Sequence, residues 1–228
     1  MAYLLAIETS TEICSIALGD NSQCIALVES DKENSHAEKI MLFVDEVLRQ
    51  AKIRPSDLDA ICLSEGPGSY TGLRIGTSSA KGLCYALNIP LIAVSTLQSM
   101  AWGSREQHPN YNQYCPMIDA RRMEVYSAVY GSDLQIITPS TNVIVDENAY
   151  NEFLQSDIVV FSGNAVEKTK ALLSSNGNAV FAETKTSAHY LLGLGYEKYK
   201  RQDFVDTAYF EPFYLKEFQS GMPRVKGL

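Results

Sequence analysis

The run with the most chemical promise is Glu65-Gly66-Pro67-Gly68-Ser69-Tyr70-Thr71-Gly72-Leu73-Arg74-Ile75-Gly76. It joins a short apolar stretch, Ala60–Leu63, to a helical pattern that reaches Leu87 and closes at Asn88-Ile89-Pro90. Pro67 presets φ for the second residue of a turn, and Gly68 is expected to supply the positive φ that a type II turn needs at its third. Ser69 or Thr71 then caps the helix. A strand-to-helix corner of this kind aims backbone N–H groups at one point, which suits an anion. The same residues also describe a tight turn that binds nothing. Both readings stay open.

Other reactive types are sparse. The three histidines, His36, His108 and His189, have no spacing that suits metal ligands. Ser64, Ser69 and Ser95 are candidate nucleophiles, but no Gly-x-Ser-x-Gly elbow surrounds them, and His36 is the nearest imidazole in sequence. The five cysteines (Cys14, Cys24, Cys62, Cys84, Cys115) contain no Cys-x-x-Cys pair. They read as small core residues of a chain kept in a reducing, cytoplasmic setting.

Elements to hold these groups follow from apolar periodicity. Tyr3–Ile7, Cys14–Leu18 and Cys24–Val28 read as strands, with a hairpin at Gly19-Asp20-Asn21. A helix opens near Asn34-Ser35, with Glu38 in its first turn, and runs to Ala51. Ala37, Ile40, Met41, Val44, Val47, Leu48 and Ala51 form its core face, and Phe43 widens the apolar arc to roughly 160°, broader than one sheet face needs. In the helix after the corner, Gly72, Gly76 and Ala80 recur every four residues. That spacing predicts a shallow groove for a second helix, or close packing within the domain.

Beyond Pro90, strand Leu91–Val94 leads into a helix from Ser95 to Trp102. The polar stretch Gly103–Gln113 is the expected boundary, dividing the chain into lobes 1–103 and 104–228. The second half repeats the rhythm. Strands are expected at Tyr114–Ile118, Met123–Tyr130, Gln135–Thr138, Val143–Val145, Ile158–Phe161 and Ala179–Phe181. Helices are expected at Glu147–Leu154, Ala165–Ser174 and Ser187–Lys200. An extended aromatic tail, Pro212–Leu215, precedes a mildly basic stretch from Lys216 to Lys226.

At 228 residues the chain can bury a sizeable core, and its 46% hydrophobic and 20% charged content is ordinary for a globular protein. The net charge of −8 argues against broad nucleic-acid binding by this chain alone. No apolar run approaches the roughly 20 residues of a membrane span, and no signal peptide is evident.

Five segments together carry a family resemblance: Ile7-Glu8-Thr9-Ser10-Thr11, the Gly66–Gly76 corner, Val94-Ser95-Thr96-Leu97, Asp119-Ala120-Arg121 and Pro212-Phe213-Tyr214-Leu215-Lys216. The chain resembles the TsaB (YeaZ) family over nearly its whole length. The resemblance implies an α/β fold of the actin, sugar-kinase and heat-shock-chaperone type (ribonuclease H-like), with two lobes of mixed β-sheet flanked by helices. It also implies work alongside the paralogue TsaD and the ATPase TsaE in making threonylcarbamoyladenosine at position 37 of tRNA, with tRNA engaged only indirectly. TsaD-type chains hold a metal through a His-x-x-x-His pair, where this chain has Thr96 and Met100, so no metal or cofactor is expected. The phosphate hairpins of the fold normally carry glycine, whereas Glu8-Thr9-Ser10-Thr11 and Asp119-Ala120-Arg121-Arg122 have none.

The resulting expectation is a non-catalytic partner subunit. Its docking face would use His36, Ile40, Leu42, Phe43, Val47, Leu73, Gly76 and Ala80, with the same face forming a homodimer when the chain is alone. Gly76→Leu is expected to abolish docking and spare the fold. A degenerate nucleotide cleft would be lined by Glu8, Thr9, Ser10, Gly66, Gly68, Ser69, Asp119 and Arg121, with Arg121 paired to Asp119 or Glu124 or facing a ligand. The rivals are a stand-alone metallo- or glycopeptidase-like hydrolase, which the family's older glycoprotease label suggests, and a small sugar-kinase-like ATPase.

Overall fold

The computed structural model describes residues 1–30 and 36–216. The expected caps Asn34 and Ser35, and the basic stretch past Lys216, lie outside the described residues. Two five-stranded sheets form the frame. In the first, β1 (Tyr3–Glu8) pairs antiparallel with β2 (Cys14–Asp20), which pairs with β3 (Gln23–Ser30). On the other side of β1, β4 (Ala60–Gly66) and β5 (Leu91–Ser95) add in parallel. The second sheet repeats this order with β6 (Gln113–Asp119), β7 (Glu124–Gly131), β8 (Ile136–Ile144), β9 (Val159–Ser162) and β10 (Ala179–Phe181). The shared rhythm of the two halves is therefore a repeat of topology.

Helices α1 (His36–Ala51) and α2 (Tyr70–Leu87) cover one face of the first sheet, and α6 (His189–Lys200) covers the other. Leu5 and Ile7 point toward α1 and α2 while Leu4 and Ala6 point toward α6, so β1 is buried on both faces. A strand in that position reads as a continuous apolar run, as Tyr3–Ile7 does. The second sheet is sandwiched between α3 (Thr96–Gln107) and the pair α4 (Asn151–Leu154) and α5 (Val166–Leu173).

The lobes meet where α3 packs on α6. A Cβ on Gly103 would come 2.6 Å from the Tyr190 ring, and one on Gly193 would come 2.6 Å from the Trp102 ring. The residue read as a boundary is thus a packing contact inside α3. The expected division at 103/104 falls within that helix, and α6 returns the chain to the first sheet. The strands expected at Gln135–Thr138 and Val143–Val145 are one edge strand, β8. It carries Pro139 where its register with β7 shifts, a position that tolerates the missing N–H. No helix among the described residues is long and apolar enough to cross a membrane.

Candidate functional site

The glycine-rich corner is occupied by the chain itself. Gly66 takes the positive φ of 113°, Gly66–Pro67 is cis, and Gly68 has no positive φ, so the expected type II turn is not formed. Gly68 serves close approach instead: a Cβ there would lie 2.3 Å from the Ser10 carbonyl oxygen. The same holds for Gly72 against the Thr9 carbonyl oxygen at 2.0 Å and for Gly76 against Thr9 Oγ1 at 2.3 Å. The Ser69 N–H donates to the Ser10 carbonyl at 2.6 Å, and Ser69 Oγ accepts from the Gly72 N–H at 3.3 Å as the N-cap of α2. Thr9 Oγ1 closes the arrangement by donating to the Gly72 carbonyl at 2.8 Å. The glycines and these donors hold the loop after β1 against α2. Neither a phosphate nor a second helix is needed to explain them.

Glu8 is sealed in the same place. Its side chain is fully buried, with Oε1 accepting from the Ser10 N–H at 2.6 Å and Oε2 lacking a partner among the described residues. Burial pushes its carboxyl above the usual range, opposed by the Ser10 and Ser64 hydroxyls and the Ser10 and Thr9 backbone. A carboxyl fully buried in this way, with burial disfavouring its charged form, is turned away from the cleft beside it.

That cleft has a volume of about 1160 Å³ and runs between the corner and the β6–β7 hairpin. Ser10, Gly68, Ser69, Asp119 and Arg121 line it, while Glu8, Thr9 and Gly66 do not. Arg121 and Arg122 form the hairpin in left-handed conformation, with φ of 67° and 48°. The Arg121 N–H, rather than its side chain, pairs with Asp119, at 2.7 Å. Lys168 on α5 organises the hairpin by donating to the Arg122 and Glu124 carbonyls at 2.9 and 2.6 Å and to the Asp119 carboxylate. Nothing local in the sequence marked Lys168, because its partners lie more than forty residues away. His36 also lines the cleft; it is buried, with Nε2 at 3.0 Å from the Thr11 carbonyl oxygen. Among the described residues, no group of three or more His, Cys, Asp or Glu is arranged to hold a metal.

The α1–α2 face needs correction residue by residue. Ile40, Val47, Leu73, Gly76 and Ala80 are buried in this chain's own core, and so is His36, so none of them is a free anchor. Phe43 is half-buried against the same core. Leu42 remains, 66% exposed, joined by Met41 at 49% and by Tyr85 on α2 at 90%. The small-residue stripe that faces solvent is Ser78, Gly82 and Ala86, and a Cβ on Gly82 would meet nothing within 4 Å. Between the helices lies an apolar groove of about 150 Å³, walled by Met41, Leu48, Leu58, Leu83 and Leu87, with Asp45 at its side.

A family model described as "TsaD: tRNA N6-adenosine threonylcarbamoyltransferase" matches residues 29–209. The tRNA threonylcarbamoyladenosine biosynthesis protein TsaB of Haemophilus influenzae is 31% identical over 230 residues, covering 93% of each chain. The chain belongs to the TsaB family. The TsaB of Escherichia coli is 38% identical over 130 residues, 57% of this chain and 55% of that one. Among solved structures, YeaZ from Pseudomonas aeruginosa superimposes on this TsaB-family chain with a TM-score of 0.83 at 27% identity, covering 94% of this chain and 100% of that one. A more distant likeness, TM-score 0.51 at 12% identity, is to (R)-2-hydroxyglutaryl-CoA dehydratase component A of Acidaminococcus fermentans, and it concerns the fold alone. The actin-like, two-lobed α/β architecture is that of this wider group.

Proposed function

We propose that the chain is the non-catalytic subunit of the complex that forms threonylcarbamoyladenosine at position 37 of tRNA. It binds and supports TsaD through the exposed α1–α2 surface, and the ATPase TsaE joins as a third component. The carrying observation is that surface: Met41 stands half-exposed at an apolar groove between the helices, Leu42 and Tyr85 are exposed elsewhere on the same two helices, and the small-residue stripe at Gly82 is unobstructed. A partner helix can approach closely at Gly82 and insert an apolar side chain between Leu48 and Leu83, the pattern of helix-on-helix recognition. Two copies of the chain can use the same surface by two-fold symmetry when the partner is missing.

The cleft supports the same reading from the other side. Its acid is sealed away, and corner groups that would face a phosphate hold the loop after β1. The test is reconstituted tRNA modification with purified components, read by nucleoside analysis. Leu42→Asp is expected to lose the product, whereas Arg121→Ala and Glu8→Gln are expected to retain it. Retained product with Leu42→Asp, or its loss with both Arg121→Ala and Glu8→Gln, overturns the proposal.

A further inference from the structure

After α6 the chain runs back along α2 and ends, among the described residues, at the second lobe. The Val205 N–H donates to the Leu91 carbonyl at 3.0 Å, beside the edge of the first sheet. Lys81 on α2 donates to the Ala208 and Phe210 carbonyls at 2.9 and 3.2 Å. The Phe213 N–H then donates to the Glu65 carbonyl at 2.7 Å, and a Cβ on Gly66 would lie 2.5 Å from the Phe213 carbonyl oxygen. Gly66 therefore leaves room for this segment as well as turning the chain. The Tyr214 ring sits 5.0 Å from that of Tyr70, whose hydroxyl accepts from Arg74 at 2.7 Å. Two residues on, the Lys216 ammonium meets the Glu124 carboxylate on β7, in the other lobe. Tyr214, Leu215 and Lys216 line the cleft together with the corner and the hairpin.

We propose that Phe213–Lys216 is a strap that latches the two lobes across the mouth of the cleft. Its first half is fixed to the first lobe by a backbone hydrogen bond and a ring contact. Its last residue crosses to a hairpin that Lys168 already holds in shape. Outside the cleft lining the lobes are joined by α3 on α6, where bulky rings fill glycine notches. Across the cleft itself the lobes are joined by the Asn164 side-chain amide donating to the Glu12 carboxylate at 2.9 Å and by the strap's partly exposed ion pair, which salt screens and which contributes little by itself. Such a molecule is firm where α3 packs on α6 and weaker across the cleft, and any ligand or partner that spreads the lobes must break the strap's ion pair.

The test is amide hydrogen exchange on the full chain, comparing the parent with Lys216→Ala, Glu124→Ala and the double variant, and with Tyr214→Ala to probe the ring contact. Each substitution is expected to speed exchange at residues 119–124 about two- to five-fold, leaving α3 and α6 unchanged. The Lys216→Ala/Glu124→Ala pair is expected to exchange no faster than either single change, because both remove one contact. Unchanged exchange in Lys216→Ala and Tyr214→Ala overturns the strap. So does a double variant whose effect is the product of the two singles.

Discussion

The carbonyl oxygen of Thr9 lies where a side chain on Gly72 would begin, 2.0 Å from the Cβ position. Gly72→Ala must therefore push α2 away from the loop after β1. A loss of about 1–3 kcal/mol is expected in denaturant unfolding, and Gly76→Leu, with Thr9 Oγ1 at 2.3 Å, is expected to cost more. Gly76 is thus a fold residue, and its replacement cannot probe docking in the way its spacing suggested. Gly82→Ala is the control: the site is open and helical, so a gain of about 0.5–1 kcal/mol is expected.

Glu8 makes stability depend on pH in a definite direction. Burial raises its folded pKa above the ordinary 4.5, and Glu65 is shifted the same way by the same cause. The folded chain therefore binds more protons than the unfolded chain from about pH 4.5 upward to the folded pKa, so this contribution to stability falls as pH rises through that window. Glu8→Gln is expected to flatten the decline, measured as unfolding free energy from pH 4.5 to 8. An unchanged slope would show that Glu8 is not the group responsible.

All five thiols are free, and four of them, Cys14, Cys62, Cys84 and Cys115, are buried. Burial pushes Cys14 up to about 11 and Cys62 and Cys84 up to about 12. At pH 8 the thiolate, which is the reactive form, is nearly absent at these three. Titration with a thiol reagent is expected to modify Cys24 first and slowly in the native chain, and all five at once in denaturant. Rapid native modification of Cys62 would contradict the packing of α6 on β4.

Lys168 supports the hairpin that forms one wall of the cleft. Lys168→Met removes the donor to two carbonyls and leaves the Asp119 carboxylate without its cation. A stability loss of about 1–2 kcal/mol is expected in denaturant unfolding. Docking to the partner should be unaffected, because the hairpin lies away from the exposed α1–α2 stripe.

Strands were legible because both faces of the central strands β1 and β4 are covered, so Tyr3–Ile7 and Ala60–Leu63 read as unbroken apolar runs. The cap at Ser69 was also legible, being local chemistry. What could not be read was which partner a small residue serves. Gly72 and Gly76 show the four-residue spacing of a helix groove, yet they accept a loop some sixty residues earlier, and sequence spacing does not distinguish the two. On α1 the expected core face holds for Ile40, Val44, Val47 and Leu48, but Ala37 and Met41, expected on the same face, are exposed, as is Leu42. Lys168 and the Phe213–Lys216 segment were illegible as site elements because Lys168 and Lys216 reach partners from 44 to 92 residues away, and Phe213 and Tyr214 reach back further still, to Glu65 and Tyr70.

On the proposed function, the solvent-facing side of α1 and α2 is a handle for TsaD. Isothermal titration of purified TsaD into the chain tests it directly, using Leu42→Asp and Gly82→Leu, two exposed positions at which the fold has room. Each variant is predicted to weaken binding by about thirty-fold or more while keeping the parent's circular dichroism and a melting temperature no lower than the parent's, with Gly82→Leu raising it. Parent-like affinity in both variants would contradict the account.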